Sequence, residues 1–226
     1  MKVEAVIFDL DGVLVDSMPT HVRAWQAAFE KVAGISVTGR DIYLLEGMRG
    51  MELIAKIFEQ RGYQKDNDSI AKKIQDEKNR VFRSIRRSEP FDGVREMLEG
   101  IRCPKAVVSG SAKADVETIL QEAFGKPELF ATVITADDVK TGKPDPSAFL
   151  EAAARMRASP QNALVVENAP LGAIAAARAG MQCCIVLNNT PLKISDFDET
   201  RIAADRIFDT TGGGGGLAKT LGGLCA

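Results

Sequence analysis

The sequence predicts an α/β fold, a doubly wound parallel sheet whose first strand is followed by an inserted all-helical segment. Three observations carry this. Short, nearly continuous apolar runs recur along the chain. Patterns of helical period separate most of them. One long stretch near the N-terminus holds helical patterns alone.

The first run, Val3–Phe8, suits a strand buried on both faces of a parallel sheet. Similar runs lie at Ala106–Val108, Thr132–Thr135, Ala163–Val166 and Cys183–Leu187. Between them, Ala112–Phe124 places Val116, Ile119, Leu120 and Phe124 at helical spacing. Ser147–Met156 is a second helical pattern, and Pro170–Ala179 a third, with Gly180 placed to stop it. Strands alternating with helices of this length imply the doubly wound sheet.

From about Asp16 to Ser88 the rhythm changes. Val22, Trp25, Phe29 and Val32 form one apolar stripe. Leu53, Ile57 and Phe58 form a second, and Ile70, Ile74, Val81 and Phe82 a third. The expected organisation is therefore a core of residues 1–15 with 89–226, and a helical cap domain of residues 16–88. Gly212–Gly216 lacks the Gly-Lys-Ser/Thr ending of a P-loop and reads as a flexible loop before a last short helix.

Bulk properties bound the function. The chain has 226 residues, 45% of them apolar and 27% charged, as in an ordinary soluble domain. A formal net charge of -2 provides no overall basic field for nucleic acid or acidic membranes. The opening apolar run is too short for a signal peptide or a membrane span. The four cysteines, Cys103, Cys183, Cys184 and Cys225, form no C-x-x-C pair. They read as reduced thiols in a cytoplasmic protein. A monomer or weak homo-oligomer is expected.

The chemistry-bearing residues fall at predicted strand ends, where open α/β sheets bind ligands. Asp9-Leu10-Asp11-Gly12-Val13 closes the first strand. Residues i and i+2 point the same way, roughly 6.5–7 Å apart. Two carboxylates so placed repel unless a cation joins them, although a bare D-x-D also serves as a turn or helix cap. Val107-Val108-Ser109-Gly110-Ser111 ends another strand, and its hydroxyl and backbone N–H groups can form an anion site or simply cap a helix. Gly142-Lys143-Pro144-Asp145-Pro146 holds Lys143 in a loop stiffened by prolines. Val165-Val166-Glu167-Asn168-Ala169-Pro170-Leu171-Gly172 again runs from strand to helix. Asn168 can cap that helix or offer a hard oxygen to magnesium, and Glu167 can hold a metal-bound water or orient Lys143.

Taken in order, D-L-D-G-V-L-V-D-S, V-V-S-G-S, G-K-P-D-P and V-E-N-A-P-L-G resemble the four motifs of the haloacid dehalogenase-like (HAD) superfamily. The helical insertion resembles its first cap class, and His21-Val22-Arg23-Ala24-Trp25 resembles the β-phosphoglucomutase-like branch. The resemblance covers nearly the whole chain. It implies a Rossmann-like core, Mg2+ as cofactor and a small phosphorylated metabolite as substrate. It also implies Asp9 as nucleophile, Asp11 as acid and base, and Ser109, Gly110 and Lys143 around the phosphoryl oxygens. The metal would be held by Asp9, the Asp11 carbonyl and position 168, with Glu167 beside them.

Many relatives carry an acidic residue where this chain has Asn168, which removes one negative charge from the metal site. Glu46, in Leu45-Glu46-Gly47-Met48-Arg49-Gly50, can supply it from a cap loop. A mutase resembling that branch has a lysine near there, so Glu46 weighs against mutase chemistry. A cap carboxylate on the metal favours a compact, metal-chelating substrate such as inorganic pyrophosphate. Arg49 and Lys78 on the cap can meet the rest of the substrate, or face solvent. His21, on the first cap helix, can assist Asp11 or merely pad the helix. The expected activity is a phosphohydrolase. A sugar-phosphate mutase is the nearest alternative and a non-catalytic binding protein the remote one. Asp11 argues against dehalogenation, which needs neither it nor a metal.

Overall fold

The computed structural model describes residues 3–63, 67–200, 206–210, 217, 220 and 221. Six strands, β1 (Ala5–Asp9), β2 (Lys105–Val108), β3 (Thr132–Ile134), β4 (Ala163–Glu167), β5 (Gln182–Val186) and β6 (Ile207–Phe208), form one sheet in the order β3-β2-β1-β4-β5-β6. Every neighbouring pair is parallel. The order reverses direction at β1 and β4, the place where such sheets open a crevice beyond their carboxyl ends. Asp9 aligns with Val108 on β2, and Phe8 with Val166 on β4, so three strands end side by side.

Alternation along the strands divides the core between the two faces. Val6, Phe8, Val107, Leu164 and Val166 pack with α5 (Val94–Gly100) and α6 (Lys113–Phe124). Ile7, Ala106, Val108, Ala163 and Val165 pack with α7 (Ser147–Arg155) and α8 (Pro170–Arg178). Burial on both faces explains why these strands read as apolar runs and not as alternating patterns. Gly180, at φ +71°, turns the chain after α8 as expected.

Between β1 and β2, after the loop that leaves Asp9, come α1 (Met18–Ala33), α2 (Gly39–Leu44), α3 (Gly50–Arg61) and α4 (Asn67–Ile85). They enclose their own apolar cluster of Trp25, Phe29, Ile42, Leu53, Ile54, Ile57, Phe58 and Ile74. The three stripes seen in sequence supply six of its members, while Val22, Val32 and Ile70 lie at its margin and Val81 and Phe82 pack with the core under the sheet. Local rules set the helix ends. Thr38 and Asp41 form a reciprocal capping box at the start of α2, with bonds of 2.8 and 3.1 Å. Gly34 and Gly62 end α1 and α3 at φ +67° and +63°.

Two departures stand out. β6 has two residues, too few to register as an apolar run. Cys103 is disulfide-bonded, so the reading of four reduced thiols is corrected, while Cys183 and Cys184 are buried and in no disulfide. Spacing along a chain does not reveal which thiols meet in space. The cytoplasmic reading loses part of its support with that correction. Among the described residues no helix is long and apolar enough to cross a membrane. Cys225 and the Gly212–Gly216 loop lie outside the described residues.

Candidate active site

The strand ends and the loop after α2 bring Asp9, Asp11, Glu46, Ser109, Lys143, Glu167 and Asn168 into one buried cluster. Asp9 is the last residue of β1 and is 3% exposed. Lys143 donates to Asp9 Oδ1 and to Glu167 Oε1, bridging β1 and β4. The other Glu167 oxygen accepts the backbone N–H groups of Asn168, at 3.1 Å, and Ala169, at 3.4 Å. Both Glu167 oxygens are thus engaged, which fits holding Lys143 better than holding a metal.

Gly172 is what lets Glu167 reach this position. A Cβ there would lie 2.0 Å from Glu167 Oε1. Gly12 serves β1 in the same way: at φ +84° it turns the chain after Asp11, and a Cβ would meet the Asn168 amide at 2.1 Å.

Asp11 faces a different set of partners. Its Oδ1 accepts from Ser17 Oγ at 2.5 Å and lies 3.1 Å from His21 Nε2, and its Oδ2 accepts from Ser109 Oγ at 3.3 Å. Burial alone would raise its pKa, but the His21 and Ser17 partners bring it down to about 2. Burial holds His21 below its ordinary value despite Asp11. Its ring stacks on Phe82 at 4.2 Å. Lys78 is buried, with Nζ 4.7 Å from the Phe82 ring and 5.4 Å from Trp25, and desolvation lowers its pKa to about 8.

The metal reading meets a direct test in the unpartnered oxygens. Three buried side-chain oxygens lack a hydrogen-bond partner among the described residues: Asp9 Oδ2, Glu46 Oε1 and Asn168 Oδ1. All three are hard acceptors of the kind magnesium takes. The Asn168 amide is fixed, because Nδ2 donates to the Asp11 carbonyl at 3.2 Å and to Glu46 Oε2 at 3.0 Å. Glu46 is half-buried as a residue, yet its Oε1 is shut off from solvent. Burial and the neighbouring Asp9, Glu167 and Asp11 charges raise its proton affinity well above normal. The same forces raise that of Asp9, against the pull of Lys143. Lys143 stays firmly protonated between its two carboxylates. Asp9, Glu46 and Glu167 thus gather around the Lys143 ammonium while Asp11 interacts with His21 and Lys78, and a divalent cation would relieve the remaining negative charge. No group of three or more His, Cys, Asp and Glu side chains able to hold a metal occurs among the described residues. A donor set built on Asp9 and Glu46 would include the Asn168 amide, whose hard oxygen suits magnesium better than a softer ion.

A cavity of about 390 Å³ opens from this cluster between the helical insertion and the sheet. Asp9, Asp11, His21, Glu46, Arg49, Lys78, Gly110 and Ser111 are among its lining residues. Arg49 lies at its edge, with Nη1 donating to the Lys140 carbonyl at 2.6 Å. Ser109 Oγ accepts the Ser111 N–H at 3.2 Å, and Gly110 passes beneath Gly47, where a Cβ would come within 3.0 Å of the Gly47 carbonyl.

Sequence reasoning missed Ser17, Glu52 and Asp115. Ser17 belongs to the D-L-D-G-V-L-V-D-S segment but carries no signal of its own. Asp115 is a buried carboxylate held by Arg83 at 2.9 and 3.1 Å, a partner 32 residues away that no local pattern announces.

The family described as haloacid dehalogenase-like hydrolase matches residues 3–180. A fructose-1-phosphate phosphatase of Escherichia coli is 33% identical over 180 residues, 78% of this chain and 92% of that protein. A phosphorylated carbohydrates phosphatase of Thermotoga maritima is 29% identical over 181 residues, 79% of this chain and 82% of its own. A β-phosphoglucomutase-like structure from Bacteroides vulgatus superposes with a TM-score of 0.86 at 30% identity, covering 99% of this chain and 90% of its own.

Proposed function

The chain belongs to the haloacid dehalogenase-like hydrolase family, and we propose that it is a magnesium-dependent phosphatase acting on a small phosphorylated metabolite through an aspartyl-phosphate on Asp9. One observation carries the proposal. Asp9 stands at the end of the central strand with one oxygen on Lys143 and the other buried and unpartnered, a condition shared by one oxygen each of Asn168 and Glu46 in the same cluster. Relatives named for phosphorylated carbohydrates and for fructose 1-phosphate support the substrate class.

In the first half-reaction a carboxylate oxygen of Asp9 attacks phosphorus and the bond to the leaving oxygen breaks. Asp11 gives that oxygen a proton. Alone, Asp11 is ionised at neutral pH. An arriving phosphate adds like charge beside it and raises its proton affinity. In the second half Asp11 takes a proton from water, whose oxygen attacks the phosphorus of the aspartyl-phosphate. Phosphate leaves, Asp9 is regenerated and Asp11 is again protonated. Lys143 and Ser109 would bind the phosphoryl oxygens, and Glu167, bonded to Lys143, would hold it in line. Asp9, the Asp11 carbonyl, Asn168 and Glu46 would hold magnesium, which when bound supplies neutralisation of the phosphoryl charge. Fixed charges of this kind are the main need of phosphoryl transfer.

Glu46 in the metal shell favours a compact, chelating substrate, inorganic pyrophosphate among them. A second reading has its own observation: His21 lies 3.1 Å from Asp11, and Lys78, which feels the Asp11 charge, lies over the Phe82 ring that also meets His21, residues that favour a sugar-phosphate mutase. There the acceptor is a sugar hydroxyl and not water. A panel of phosphorylated metabolites, including pyrophosphate, fructose 1-phosphate and β-glucose 1-phosphate, assayed with and without Mg2+, tests both. Magnesium-dependent phosphate release is expected. Isomerised sugar phosphate without free phosphate supports the mutase, and no turnover of any member overturns the catalytic reading.

A further inference from the structure

Glu52 belongs to none of the four motifs, yet its carboxylate joins the helical insertion to the loop that carries Lys143. Glu52 Oε2 accepts the Arg49 N–H at 3.1 Å, at the start of its own helix. The same oxygen accepts the Gly142 N–H at 3.2 Å, with Oε1 sharing that donor at 3.3 Å. Hydrogen bonds to an ionised carboxylate are roughly twice as strong as neutral ones. Two more bonds cross beside them: the Lys143 N–H donates to the Gly47 carbonyl at 3.0 Å, and Arg49 Nη1 to the Lys140 carbonyl.

The contact is close enough to specify the residue opposite. A Cβ on Gly142 would lie 2.6 Å from Arg49 N, 2.8 Å from Glu52 Oε2 and 3.0 Å from the Gly47 carbonyl oxygen. Only glycine allows the two loops to meet this way. Glu46 stands one residue before Gly47, and Lys143 one residue after Gly142. The joint therefore fixes the loop bearing the insertion's carboxylate against the loop bearing the phosphoryl-facing cation.

We infer that Glu52 is a positioning residue: paired with the Gly142 backbone, it clamps the insertion over the sheet and sets the relation of Glu46 to Lys143. The kinetic consequence rests on the phosphatase reading, while the clamp itself does not. Without the clamp the insertion stays attached, because Arg40–Asp196 and Arg83–Asp115 also cross the seam. What falls is the fraction of molecules with both loops in register. Apparent affinity weakens by that fraction, while the rate at saturation changes little.

The test uses full-length protein, amide hydrogen exchange at Gly142, and kinetics with acetyl phosphate and Mg2+. Acetyl phosphate has a leaving group that needs no proton, so it reports on loop geometry. Glu52→Ala is expected to cut Gly142 protection and to raise both KM and the Mg2+ concentration for half-maximal rate about tenfold, with kcat within about threefold. Glu52→Gln keeps an amide oxygen able to accept both N–H groups and should restore protection and KM. Gly142→Ala, which forces the two loops apart while keeping the Glu52 carboxylate, should reproduce the Glu52→Ala kinetics, and the double variant should be no worse than either. The inference is overturned if Gly142 stays protected in Glu52→Ala. It is equally overturned if thermal stability falls with KM and Mg2+ requirement unchanged, the sign of a helix cap and nothing more, or if the two kinetic effects multiply. A wild type with a protected Gly142 amide that turns over no phosphate compound removes the phosphatase reading and leaves the clamp standing.

Discussion

Asn168 Nδ2 donates to Glu46 Oε2 at 3.0 Å, tying the end of β4 to the helical insertion across 122 residues of sequence. Asn168 Oδ1 and Glu46 Oε1, the oxygens outside that bond, are buried and unpartnered, as is Asp9 Oδ2. In the proposed metal site Glu46 would supply the charge that a neutral Asn168 does not. Glu46→Gln should raise the Mg2+ requirement roughly tenfold. Asn168→Asp should show a larger Mg2+-induced rise in melting temperature than wild type, because its metal-free form carries one more uncompensated carboxylate. Equal Mg2+ responses in all three proteins, measured by thermal unfolding, would contradict the assignment.

Lys143 is the single ammonium between Asp9 and Glu167, and it is 4% exposed. Removing one partner of a buried ion pair leaves uncompensated charge and costs about 3–5 kcal/mol. Lys143→Met should destabilise by that order and lower kcat by roughly two to three orders of magnitude. Denaturant unfolding and steady-state kinetics check the two effects separately. A stable but inactive variant would show that the carboxylates are compensated elsewhere.

Gly172 leaves room for Glu167, since a Cβ would lie 2.0 Å from its Oε1. Gly172→Ala must displace Glu167 and loosen Lys143. A stability loss of about 1–3 kcal/mol is expected, together with a fall in kcat. An unchanged kcat would show that Glu167 does not orient Lys143.

Lys78 titrates at about 8 in the folded chain because burial outweighs the pull of Asp11 and Asp115, against its usual 10.5. Between those values the unfolded chain binds the proton and the folded one does not, so stability rises with pH across that window. Lys78→Met removes the penalty. It should be more stable than wild type below pH 8, by on the order of 2 kcal/mol once the contacts with Phe82 and Trp25 are allowed for. The gain should shrink as pH rises toward 10.5. A gain independent of pH would show that Lys78 is not the group responsible.

Much of this was legible in the sequence, for physical reasons. Strands buried on both faces announce themselves as apolar runs, and insertion helices as stripes, so the fold class followed directly. The motif residues stand at strand ends, where the sheet itself brings them together. Glu46 could be suspected from the charge that Asn168 lacks, but its hydrogen bond to Asn168 needed the three-dimensional arrangement. Glu52 was hidden because its partner is a backbone N–H 90 residues away, and a backbone donor leaves no side-chain signature. The Asp115 pairing was invisible for a related reason: side chains far apart in sequence carry no mark of their partner.

The central claim is that Asp9 becomes phosphorylated. Acid-quenching the protein within its first turnover of labelled acetyl phosphate and Mg2+, then mapping the label by mass spectrometry, measures this directly. The account predicts an acid-stable, hydroxylamine-labile phosphoryl group on the peptide containing Asp9, absent from Asp9→Asn along with turnover. Label on another residue, or an Asp9→Asn variant that turns over at the wild-type rate, would contradict it.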